Sequence, residues 1–176
     1  MNIYPIDQCA VFFKTREEFG ELSNMAGGFP LMWEGITVHS SEALYQAHKF
    51  LPGSVPFEAV ISEKNAMVSK MRAKKLEYRS QLRPDWDDIK IDVMNYCLRL
   101  KYLHHKMIID DVLYMTAGRD IVEKSRKDQL WGAINDYRGN LVGNNLLGSL
   151  WMIIRDETPN VELPDMIIPS SHLAQL

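Results

Sequence analysis

The sequence predicts an α+β fold, predominantly helical, with a small β-sheet in a single domain. Three observations carry this expectation. Apolar stripes recur at helical spacing, and short apolar runs are bounded by turn residues. The composition, 46% hydrophobic and 24% charged over 176 residues, is that of a globule. A chain this long buries a core without disulfide or metal staples.

The elements follow in order. Cys9 to Lys14, CAVFFK, reads as a short strand. FPLMWEGITVH, Phe29 to His39, reads as a hairpin around Glu34-Gly35. Ser40 or Ser41 then caps a helix from about Glu42 to Leu51, stopped by Pro52-Gly53. A short helix from about Pro56 to Glu63 and a basic one from about Ala66 to Lys75 come next. The longest helix runs from about Asp85 to Leu103, with Pro84 at its start, where a missing N–H costs nothing. Its stripes are Trp86, Ile89, Val93, Cys97 and Leu100 on one side, and Met94, Leu98 and Tyr102 on another. So wide an apolar surface marks a central helix with neighbours on two sides. A further helix covers about Met107 to Met115, DIVEKS (Asp120 to Ser125) reads as a strand, and Arg126 to Asn145 reads as loop. The last helix spans about Leu146 to Asp156, with Gly148 inside it for close contact with a neighbour. The domain thus occupies 1–157. Residues 158–176 form a tail in which Pro159, Pro164 and Pro169 forbid one regular helix. Met166-Ile167-Ile168 in that tail is a candidate for docking on the core or on a partner.

Cys9 and Cys97 make no CxxC or Cys/His cluster, and Cys97 reads as a buried free thiol. His39, His48 and His172 lack metal-like spacing, and His104 and His105 close a helix. The first residues do not read as a signal peptide, and no apolar stretch reaches bilayer length, so the cytosol is the expected compartment. Net charge is −3, but Lys64 to Arg83 holds seven basic residues and one acid, Glu77. Such a block either grips phosphates or lies on a solvated helix face.

The helix after Ser41 has two faces. Leu44, Ala47 and Leu51 repeat toward the core. Glu42, Tyr45, Gln46 and Lys49 share the other face, which is either solvated or one wall of a cleft. Glu42 lies in the first turn, where the helix end favours negative charge. In KDQLWGA, Asp128, Trp131 and Gly132 suit either loop packing or a ring stacked on a base or sugar, with Gly permitting close approach. Asn144 and Asn145 precede the last helix, either as a cap or as an anion site for a diphosphate. Lys101 falls on an apolar stripe, so its ammonium either snorkels out or meets a carboxylate or phosphate.

These groups, in this order, resemble the NADAR family, also called YbiA-like. The matching pieces are FGELSNMA, HSSEALYQAHKF, the Trp86 helix with VMNYCLRLKY, TAGRDIVEKSRKDQLWGA and GNNLLGSLWMIIRDE, from about Phe12 to Glu157. The resemblance implies a mainly helical α+β fold and N-glycosidase chemistry on ribose-phosphate or ADP-ribose compounds, with no cofactor and no metal. Within the family, ELSNMAGGFPL and SEALYQA look like the antitoxins that remove ADP-ribose from guanine in DNA. The functional partner would be a DarT-type ADP-ribosyltransferase toxin. On that reading Glu42 is the catalytic carboxylate, Asp128 positions the sugar or acts as second acid/base, and Lys101 and Lys49 meet phosphate or the departing group. Trp131 stacks, and Asn24, Gln46 and Asn145 hydrogen-bond the ligand. Ser23, Trp86 and Gly132 complete the ligand contacts. Lys74, Lys75 and Arg79 meet the nucleic-acid substrate, which is DNA or, alternatively, RNA. Two other readings are an N-glycosidase on riboflavin-pathway intermediates and a non-catalytic ADP-ribose or NAD binding module.

Overall fold

A computed structural model describes residues 1–165. The Met166–Ile168 segment, Pro169 and His172 lie outside the described residues. The described residues form six α-helices, a five-stranded mixed sheet and a separate two-stranded hairpin.

The sheet is built from β1 (Asn2–Pro5), β2 (Cys9–Phe12), β5 (Asp120–Ser125), β6 (Ala133–Asn135) and β7 (Asn140–Gly143). Its order is β1-β7-β6-β5-β2. The β5 strand runs parallel to both neighbours, and β7 runs antiparallel to both of its own. Parallel strands are covered on both faces, and Ile121 and Val122 of β5 are accordingly buried on opposite sides. The hairpin of β3 (Leu31–Trp33) and β4 (Ile36–Val38) turns on Glu34 (φ 46°) and Gly35 (φ 79°). Two successive positive φ values match strand twist in a two-residue turn.

The α1 helix (Ser41–Ala47) starts where the Ser40 hydroxyl accepts from Ala43 N at 3.1 Å. It stops at Ala47, before the expected Leu51, which is 38% exposed instead of facing the core. Every residue of α1 is buried, because α2 (Val55–Ile61), α3 (Ala66–Arg72) and α4 (Trp86–His104) all pack against it. Asn65 caps α3, its Oδ1 accepting from Met67 N and Val68 N. Both expected stripes of α4 are buried from Ile89 through Tyr102. The α5 helix (Lys106–Met115) follows with hardly a break.

The α6 helix (Leu146–Glu157) lies on β5. Gly148 makes this contact, since a Cβ there would sit 2.0 Å from the Ile121 carbonyl oxygen. The segment expected to be loop, Arg126 to Asn145, contains β6 and β7, and β1 was not expected either. These strands have three or four residues, too few to show alternation.

Candidate active site

One cavity of about 280 Å³ lies between α1, α3, β5 and the 126–131 loop. The α1 wall supplies Glu42, Tyr45 and Gln46, with Lys49 just past the helix end. Lys70 and Lys74 come from α3 and its end, Glu123 and Ser125 from β5, and Asp128 and Trp131 from the loop. Ser23 and Asn24 close one side and Met94 of α4 another. The polar face of α1 is therefore a cavity wall and not a solvated surface.

Glu42 is 5% exposed. Its Oε1 accepts from Gln46 Nε2 at 2.9 Å and faces the Lys70 ammonium at 3.6 Å. Asn24 Oδ1 and Gln46 Oε1 are buried with no hydrogen-bond partner among the described residues. Burial pushes the Lys49 ammonium down to about 8, with partial compensation from Glu42. The Lys49 Nζ lies 5.9 Å from the Tyr45 ring centre and 5.8 Å from that of Trp86. Burial also raises the Tyr45 phenol, so it remains a neutral donor.

Glu123 is the residue that sequence reasoning missed. Burial, then repulsion from Asp128 and Glu42, raises its carboxyl to about 7, and Lys70 opposes the shift. The cavity thus holds Glu42, facing a lysine, and a second carboxyl, Glu123, that keeps its proton near neutrality. A carboxyl held protonated in this way suits the role of general acid. A signal for Glu123 did exist: in DIVEKS it alternates onto the face of buried Ile121.

Several expected residues sit differently. Asp128 lines the cavity, but its Oδ1 accepts from Leu130 N and Trp131 N, both at 2.9 Å, and so shapes the loop. Trp131 lines the cavity with its ring edge-on to Tyr45 at 5.6 Å. Trp86 is not in the lining; it backs Tyr45 at 5.1 Å. Gly132 also lies outside the lining, and a Cβ there would be 2.6 Å from the Glu123 carbonyl oxygen, so it permits strand contact.

Lys101 is fully buried away from the cavity. Its ammonium donates to the Glu21 carbonyl and, at 3.0 Å, to the Ser23 carbonyl, with the Phe29 ring 4.5 Å away. It neither snorkels nor meets a carboxylate. It ties the Ser23–Asn24 wall to α4, and burial lowers its pKa to about 7.

Asn145 is likewise fully buried. It sits at φ 53° and caps nothing with its side chain. Its amide donates to Ile121 O at 2.8 Å and accepts from Glu123 N at 2.9 Å. The expected anion site at the start of α6 is filled by the chain itself. Asn144 N, Asn145 N, Leu146 N and Leu147 N donate to the carbonyls of Gln129, Gly132, Leu130 and Trp131. Of the expected nucleic-acid residues, Lys74 lines the cavity, Lys75 pairs with Glu77 at 3.1 Å, and Arg79 is exposed on a 3-10 turn.

Fold and cavity together define a class: one α+β domain whose central helix, parallel strand and loop enclose an acid- and lysine-lined cavity. The chain belongs to the NADAR domain family, which matches residues 11–158. It is 34% identical over 148 residues to the N-glycosidase YbiA of Shigella boydii, covering 83% of this chain and 86% of that protein. A riboflavin biosynthesis protein of Vibrio vulnificus is 30% identical over 154 residues, 86% of this chain and 39% of its own length. The NMR structure of Escherichia coli YbiA superposes with a TM-score of 0.72 at 31% identity, over 86% of this chain and 84% of that one. Among the described residues no helix is long and apolar enough to cross a membrane.

Proposed function

We propose that the chain is an N-glycosidase that breaks the bond between a ribose anomeric carbon and a base nitrogen. The observation that carries this reading is the meeting of Glu42, Glu123 and Lys49 in one cavity. Such bonds break through an oxocarbenium-like transition state. Glu42 stands for the group that stabilises the cation or activates water. At about 4 Å and an effective dielectric near 20, a carboxylate–cation attraction is roughly 4 kcal/mol, or about three powers of ten in rate. Glu123 gives its proton to the departing nitrogen. Asn24 and Gln46 line the cavity and would bind sugar hydroxyls by turning their amides toward the ligand.

The substrate in this proposal is ADP-ribosylated guanine in DNA, and the role is antitoxin to a DarT-type ADP-ribosyltransferase toxin. Support comes from the ELSNMAGGFPL and SEALYQA wording and from three lysines, Lys49, Lys70 and Lys74, available to a phosphorylated ribosyl group. The test offers the purified protein two substrates in parallel: a guanine-ADP-ribosylated oligonucleotide and ribosylated riboflavin-pathway intermediates. Release of free ADP-ribose from the oligonucleotide is expected. Turnover of the small intermediates alone would move the substrate to the class suggested by the Vibrio relative's name. Binding of ADP-ribose without turnover of either would make the chain a binding module.

The depressed pKa of Lys49 favours a second course of the same reaction. Its free amine attacks the anomeric carbon, the bonding pair leaves with the base nitrogen, and that nitrogen takes the Glu123 proton. Opening of the ribose ring then gives an imine, and water releases the sugar. Borohydride would trap that adduct as a stable mass gain on Lys49, and its absence during turnover would leave direct attack by water.

A further inference from the structure

A second concavity, of about 710 Å³, adjoins the candidate active site and shares Ser23, Met25, Glu123 and Ser125 with it. Its own lining is of one sign. Lys14, Lys64, Lys124 and Arg126 supply cations, and Glu123 is the one acid in the lining. Lys14 pairs with Glu17 at 2.7 Å. Lys64, Lys124 and Arg126 have no ion-pair partner among the described residues. The half-buried Phe13 ring sits amid these charges, with Lys124 Nζ at 5.5 Å, Arg126 Cζ at 5.8 Å and Lys14 Nζ at 6.0 Å.

We infer that this groove is the track for a single-stranded nucleic acid running out of the active site, with phosphates on Lys64, Lys124 and Arg126 and an unpaired base against Phe13. The inference rests on the proposed reading that the reacting base belongs to a polynucleotide. Three points carry it. Cations interleaved with an aromatic ring are what a strand needs, since every base has a stacking face and every link a charge. The cavity already has its own cations, Lys49, Lys70 and Lys74, for the ribosyl-phosphate arm, so the groove set is free to serve a different part of the substrate. The shared wall at Glu123 and Ser125 lets a base lie at the cavity mouth while its neighbours follow the groove, as flipped-out or unpaired substrates require. The site moves away from the strip that the sequence suggested: Lys75 and Arg79 line neither concavity.

The test measures binding of an unmodified single-stranded oligonucleotide by fluorescence anisotropy across a salt series, with no turnover required. Each phosphate contact adds roughly 0.7 to the slope of log affinity against log salt. The double variant K64Q/R126Q is therefore expected to lower the slope by about 1.4. Both residues are exposed, so the fold should survive, and a thermal melt checks it. Phe13→Leu keeps apolar bulk and should weaken binding by roughly 5- to 100-fold through lost stacking. A slope that falls with K75Q/R79Q and not with K64Q/R126Q would overturn the proposal, as would a wild-type protein that does not bind the strand. A strand held in the groove by a protein that releases no ADP-ribose would keep this site and defeat the N-glycosidase reading instead.

Discussion

On the α1 wall, Glu42, Gln46 and neighbouring Asn24 are buried and line a cavity, and Asn24 Oδ1 and Gln46 Oε1 have no partner among the described residues. Along the β5–α6 seam and beneath the Ser23 wall, Asn145 and Lys101 are buried still more completely, yet each is bonded to two backbone groups. The residue types are similar in the two regions, and the chemistry differs. A buried polar group that is satisfied by backbone holds the fold, because removing it leaves partners stranded. A buried polar group that keeps an unused atom beside an open volume is available to a ligand. Neither condition suffices alone. His48 Nε2 and Trp33 Nε1 are also unpaired among the described residues, but their rings meet edge-on at 5.1 Å in the core between α1 and the hairpin, and neither lines the active-site cavity.

The sharpest test of this contrast is Glu42→Gln. It keeps shape and removes charge, so kcat should fall by about a thousandfold with the thermal midpoint little changed. A near-wild-type rate of base release would take Glu42 out of the reaction.

On the other side, Asn145→Ala strands the Glu123 N–H and Ile121 carbonyl and puts Ala at a left-handed φ. Unfolding in urea should show a loss of about 2–4 kcal/mol, with kcat per folded molecule changing far less than in E42Q. A rise in KM at unchanged stability would return Asn145 to the ligand.

Lys101→Met should cost about 1–3 kcal/mol and leave turnover per folded molecule in place; abolished turnover in a stable protein would restore its catalytic role. The variant also has a pH signature. Lys101 is held near 7 in the folded state against an ordinary 10.5, so between those values the unfolded chain binds more protons. Stability from this group therefore rises with pH through that window, and Lys101→Met removes that part of the slope. Lys49, held near 8, acts with the same sign and remains.

Back on the cavity side, Glu123→Gln tests the acid role. If the Glu123 proton goes to the leaving nitrogen, the wild-type rate falls as pH rises through about 7. The variant should be slower, by roughly a hundred- to ten-thousandfold, and should lose that alkaline limb. Its stability should move oppositely. Ionising wild-type Glu123 costs the folded state between its ordinary 4.5 and about 7, so the variant gains relative stability above that window. An alkaline limb that persists in E123Q assigns it to another group.

Local signals reached the helices and half of the site. Capping serines, Pro84 and the α4 stripes act within a few residues, so α1, α2, α3, α4 and α6 were legible to within a few positions. The face shared by Glu42, Gln46 and Lys49 was legible for the same reason. The strands β1, β6 and β7 were not, because each is stabilised by a partner far away in the chain, as when Asn2 pairs with Gly143. The place of Lys70 in the cavity was hidden likewise, and the alternation in DIVEKS gave the face of Glu123 but not the cavity it enters. Nothing near them in sequence says that β5 and α3 converge on α1. Lys101 and Asn145 show the opposite difficulty: their neighbours in sequence suggest ligands, and only the fold reveals the carbonyls and amide that occupy them.

The Lys101 tether also governs how the molecule breathes. Two backbone carbonyls of the 21–23 wall are clamped to the last turn of α4, and Trp151 Nε1 adds a third tie at Leu22 O, 2.8 Å away. Segments open together when their bonds are shared. The wall should therefore exchange its amide hydrogens at the slow pace of α4, while the exposed 126–130 loop across the cavity exchanges early. One side of the cavity is then a fixed jaw and the other a moving one, and ligands would come and go past Asp128.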